Sequence, residues 1–156
     1  MTIHLLALLL GLVAGLRTMT APAAACWAAH LGWIDLGGTW LAFLGSAWAR
    51  GLLTLLALVE LVTDQLPSTP SRTVPVQFGA RIVSGALSGA AIGAAGGATV
   101  GGLLAGSAGS IVGTLGGRAF RAQLAHALRS DHTAALIEDA VAIGGAVLIG
   151  VALRAM

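Results

Sequence analysis

Lysine and tyrosine are absent from this chain, and cysteine occurs once. Charge is scarce: 9% of the 156 residues are charged, against roughly 25% in a soluble domain. That deficit, with 57% hydrophobic residues, excludes an ordinary water-soluble fold and points to an integral membrane protein. The lone Cys26 excludes an intrachain disulfide, and no metal-ligand spacing surrounds it. His4, His30, His126 and His132 form no i,i+4 pair, so no metal is expected. No Gly-rich phosphate loop follows a strand, so no nucleotide or other cofactor is expected either. A net charge of +2 is too small to imply nucleic acid as a partner. No basic n-region precedes the first apolar run, which reads as a retained membrane segment rather than a cleaved signal peptide.

What is present is long apolar sequence. A spanning helix needs about 20 apolar residues. Residues 3–16 and 19–33 are each shorter; Arg17 and Thr18 join them, and Pro22 forbids a regular helix through that point. This predicts two short segments meeting at an irregular Gly15–Pro22 break. Asp35-Leu36-Gly37-Gly38 reads as a turn, and Ser46 as the N-cap of a helix over about 47–66. Residues 67–76, with Pro67, Pro70 and Pro75, read as a polar loop outside helix. From 79 to 128 there is no proline, and Gly recurs at 85, 89, 93, 97 and 101, then 109, 113 and 117. That spacing predicts a glycine-laddered helical hairpin turning at Gly96-Gly97 or Gly101-Gly102, with helices in close backbone approach. Ser130 or Asp131 caps a last helix running to about 153. The expected fold is all-α: one transmembrane domain over 1–156, a bundle of about six membrane segments with the first two short and broken. Alternating the segments gathers six Arg on one side against two on the other, which predicts that side to be cytoplasmic. The expected location is the bacterial inner membrane, multi-pass, with the lipid bilayer as surroundings.

Four of the six acidic residues lie inside apolar stretches: Glu60, Asp64, Glu138 and Asp139. An ionised carboxylate in hydrocarbon costs at least about 2.5 kcal/mol, so such residues need partners in a protein-lined interior. Glu60 and Asp64 share a helix face and sit at the end where the macrodipole disfavours anions. They need cations, or a shared proton. Glu138 and Asp139 are adjacent, and a spacing of about 100° predicts that at most one faces a given partner squarely. Arg17, with Thr18, occupies the broken segment, the kind of place where freed backbone groups bind substrate ions in transporters. Arg81 is a further cation for the cluster. Ser71 and Arg72, in the 68–73 loop, suit a phosphate or lipid headgroup, or a plain polar turn. Short matches between GLR17 and GAR81, and between LVE60 and LIE138, hint at an internal duplication, but in the expected topology the matched pieces do not all invert consistently, so no repeat is expected.

The segments GLRTMTAPA, ELVTDQLPSTPSRT, ARIVSGALSGAAIGA, GTLGGRAFR and LIEDAVAIGGA resemble one bacterial family of small integral membrane proteins known only as a domain of unknown function. The resemblance covers most of the chain. Relatives often carry Lys where this chain has Gln65, so one cation of the family pattern is replaced here by an amide. The resemblance implies a membrane location and no activity.

The reading that follows is a small membrane protein that passes or binds a small solute or ion through Arg17, Thr18, Glu60, Asp64, Ser71, Arg72, Arg81, Glu138 and Asp139. A chain this short is expected to form a homo-oligomer to complete a pathway. The alternative is a non-transporting scaffold or partner subunit whose charges lock helices together. An enzyme ranks last, because no nucleophile–base pair is identifiable.

Overall fold

The computed structural model describes residues 2–65 and 74–156. All regular structure among them is helical: α1 (Thr2–Leu16), α2 (Thr20–His30), a 3-10 turn (Ala42–Gly45), α3 (Ala47–Thr63), α4 (Pro75–Ala95), α5 (Thr99–Leu128) and α6 (Asp131–Arg154). Three of these, α4, α5 and α6, are long and apolar enough to cross a membrane. The other three are shorter, and α3 ends at Thr63 rather than near 66.

Local chemistry sets most of the boundaries. The α1–α2 break is narrower than Gly15–Pro22, because Pro22 lies in the first turn of α2. A first-turn N–H has no intrahelical acceptor, so proline there costs little. Pro75, expected in a loop, instead opens α4, where its fixed φ suits the first helical position. Ser46 caps α3 by accepting from Ala49 N, and Ser130 caps α6 by accepting from Thr133 N. Arg129 closes α5 in the left-handed region at φ 53. The α4–α5 turn falls at Gly96–Ala98, with Gly97 at φ 68, a conformation that disfavours side chains.

The helices alternate in direction. A Cβ at Gly96 would meet Ile3, while Arg81 meets Gly15 and Leu16, so α4 runs antiparallel to α1. Gly11 faces Gly106 and Gly15 faces Gly113, so α5 runs parallel to α1. α6 returns with Asp139 at Arg17 and Gly145 at Val13. From the break, α2 folds back toward Trp33, which packs on Gly150 of α6. Then α3 climbs beside α2, pairing Thr54 with Trp27 and Glu60 with Met19.

The centre of the bundle is α1, α4 and α5, packed backbone on backbone. A Cβ on Gly85 would stand 2.7 Å from the Gly106 carbonyl oxygen, and one on Gly89 would stand 2.8 Å from Gly106 Cα. The buried apolar core is mostly small or aliphatic, including Leu6, Leu10, Val13, Cys26, Leu41, Leu44 and Ile92. Large apolar side chains are exposed on the outer faces of α3 to α6, among them Leu55, Val83, Leu104, Val112 and Leu148. Such a surface suits hydrocarbon rather than water.

Candidate functional site

Two helix ends are left open at the α1–α2 break. Each end of a helix leaves backbone groups unpaired, and inside a membrane water cannot satisfy them. Here charged side chains from other helices do so. Arg81 of α4, 2% exposed, donates from Nη1 to the carbonyls of Gly15 at 2.7 Å and Leu16 at 2.9 Å, closing the C-terminal end of α1. Glu60 of α3 accepts from Thr18 N and Met19 N, both at 2.7 Å, closing the N-terminal end of α2. Both signs agree with the helix dipole, a cation at the C-terminus and an anion at the N-terminus. Ser84 of α4 adds a hydroxyl donor to the Thr18 carbonyl. Thr18 thus joins the site through its backbone.

Between these clamps lies Arg17, fully buried. Its Nη1 pairs with Asp64 of α3 and its Nε with Asp139 of α6. Its Nη2 is 3.9 Å from Glu138 Oε2, but makes no hydrogen bond. Of the adjacent pair, Asp139 alone hydrogen-bonds Arg17 and Glu138 stands off it, in line with the expectation that at most one would face it squarely. The planar guanidinium offers donors on several edges, so one arginine at the seam serves Asp64 and Asp139 from two different helices. Arg81 Nη2 completes the belt, 4.0 Å from Glu60 Oε1 and 3.9 Å from Asp64 Oδ2.

The structure thus gathers Arg17, Thr18, Glu60, Asp64, Arg81, Glu138 and Asp139 around one break. Ser71 and Arg72, with the rest of the 68–73 loop, lie outside the described residues. One charged participant escaped the sequence reading, and a second position, noted there only for its amide, joins the cluster. Arg121 of α5 pairs with Asp131 at 2.7 Å and stands 3.8 Å from Glu138. Gln65 Nε2 donates to Asp139 Oδ2 at 3.4 Å, so the amide at this position touches the cluster. The signal for Arg121 was available: it lies seven residues before the end of α5 and Glu138 seven residues after the start of α6, which brings those two level across the turn. No group of three His, Cys, Asp or Glu side chains among the described residues is arranged to hold a metal.

Glu60 and Asp64 share a face but have different tasks, one holding backbone and the other a buried cation. Glu60→Gln keeps one acceptor and turns an NH₂ toward an N–H. Hydrogen bonds to charged groups contribute about 1.5–3 kcal/mol, so the variant is expected to lose about 2 kcal/mol in detergent unfolding. A loss below about 0.5 kcal/mol, the level of an indifferent surface change, would show that Glu60 does not hold the break.

No curated protein and no solved structure matches the chain. Residues 4–152 match the family described as Domain of unknown function (DUF4126), in keeping with the motif resemblance, and the chain belongs to that family.

Proposed function

We propose that the protein binds or passes a small solute or ion at the Arg17–Asp64–Glu138–Asp139 group, within a bundle that works as a homo-oligomer. One observation carries this reading. A fully buried arginine sits in the gap of a broken helix with its Nη2 lacking a hydrogen-bond partner, facing carboxylates from two other helices. Buried polar atoms without partners are rare in folded proteins and mark water, ion or ligand positions. Broken helix ends at a charged group are also the arrangement by which many transporters bind their substrates.

A second reading has its own support. Glu60 and Arg81 are engaged with the backbone at the break, which is what a structural lock requires. The two readings separate by residue: Glu60 and Arg81 hold the fold, while Asp139 and Asp64 hold the cation at the gap. Purified protein screened against small ions and solutes is expected to show one that raises the melting temperature of wild type and not of Asp139→Asn. The same substance is expected to cross wild-type proteoliposomes or to be retained by them. A screen that leaves wild type unmoved, or shifts both proteins equally, favours the scaffold.

A further inference from the structure

About 15 Å along α3 from Glu60, at 1.5 Å per residue, a separate cation stands without an anion. Arg50 is in the first turn of α3, where the helix dipole disfavours positive charge. Among the described residues no carboxylate pairs with it, and its buried Nη1 has no hydrogen-bond partner. Arg17, Arg81 and Arg121, by contrast, are all engaged. Arg50 is not simply extended into solvent. Its Cζ lies 5.2 Å over the Trp27 ring, and His30 meets the same ring edge-on at 6.0 Å. The Trp27 indole is itself fixed, donating to Thr54 Oγ1 at 3.1 Å, while Thr54 donates to the Arg50 carbonyl at 2.7 Å. The cation is therefore oriented by its surroundings and left uncompensated by them.

We propose that Arg50, held over the Trp27 ring, binds a phosphate oxyanion at the membrane interface, carried by a lipid headgroup. The planar fork of arginine matches phosphate oxygens in a bidentate way, and the first-turn amides of α3 add to the same positive field. Trp48, Leu52 and Leu55, on the face of α3 turned away from Arg50, are exposed and apolar, so this end of α3 carries a surface suited to lipid. Tryptophan at this level is typical of the headgroup region, where phosphate is the abundant anion. This site is independent of the buried cluster, and its failure would leave the function proposed above untouched.

Native mass spectrometry of the detergent-purified protein titrated with phosphatidylglycerol, or with a diacylglycerol of the same chains, tests the assignment. Wild type is expected to bind the phosphatidylglycerol in preference to the diacylglycerol. Arg50→Gln is expected to weaken phosphatidylglycerol about tenfold, as loss of a charge-assisted hydrogen bond implies. Arg50→Lys, with a point charge and no fork, should fall between, and Arg154→Gln should match wild type. Competition by inorganic phosphate at matched ionic strength would identify free phosphate as a source; no competition assigns the site to the lipid. Equal binding of the two lipids by wild type overturns the proposal even if no variant folds. Equal phosphatidylglycerol affinity in wild type and folded Arg50→Gln overturns it as well.

Discussion

Arg17→Gln is expected to cost about 3–5 kcal/mol of stability, the range found when one member of a buried ion pair is removed. Glutamine ends about where the guanidinium begins, so a small void accompanies the loss of the cation. What changes most is charge: Asp64, Glu138 and Asp139 all lie within ion-pair distance of this cation, which is hydrogen-bonded to Asp64 and Asp139, while Arg81 and Arg121 stand 3.9 Å from Asp64 and 3.8 Å from Glu138. Glu138 is fully buried and Asp139 is 7% exposed, so water cannot take over the role. The expected result is a large drop in folded yield and in melting temperature in detergent. The electrostatic cause is checked by removing the anions too. Arg17→Gln/Asp64→Asn/Asp139→Asn is expected to recover much of the loss, because replacing a whole buried group costs less than orphaning part of it. A triple variant as unstable as the single one would assign Arg17's contribution to packing rather than to charge.

The membrane class, the short first segments and the identity of the carboxylates were legible because apolar length and intramembrane charge are local properties of the sequence. Ser46 and Ser130 were legible as caps for the same reason. Pairing was not. Which anion meets which cation depends on helix directions and rotations, which are set by long-range packing. So Glu60 and Asp64, one helical turn apart, read as equivalent, yet one closes a helix end and the other holds Arg17. Arg81 read as a counter-ion, yet it hydrogen-bonds the carbonyls of Gly15 and Leu16. Pro22 and Pro75 were misplaced because proline breaks a helix interior and suits a helix start, and the sequence alone did not show which applied. The short matches GLR17/GAR81 and LVE60/LIE138 gain meaning from the geometry. Arg17 stands 3.9 Å from Glu138 and Arg81 stands 4.0 Å from Glu60, a reciprocal exchange between the two halves of the chain. The elements that carry these residues also run in opposite directions, α1 against α4 and α3 against α6.

Gly106→Ala is expected to destabilise the bundle by about 3 kcal/mol, the upper range for inserting a single group into a filled core. Gly106 lies where three helices meet. A Cβ there would stand 2.9 Å from Gly89 Cα and closer still to the Gly85 carbonyl oxygen, both backbone atoms of α4. On the other side, Gly11 of α1 already approaches the Gly106 backbone. Backbone cannot rotate away as a side chain can, so α4 and α5 would have to separate along their contact. Glycine is otherwise a poor choice here, costing about 1 kcal/mol relative to alanine in a helix interior. Gly116 supplies the internal control, since it lies in the same helix and a Cβ there meets nothing within 4 Å. Gly116→Ala should therefore be neutral or stabilise by up to about 1 kcal/mol. The same substitution, ten residues apart, is expected to act with opposite sign in thermal unfolding. Similar melting temperatures for the two variants would mean that close approach of α1, α4 and α5 does not hold the bundle together.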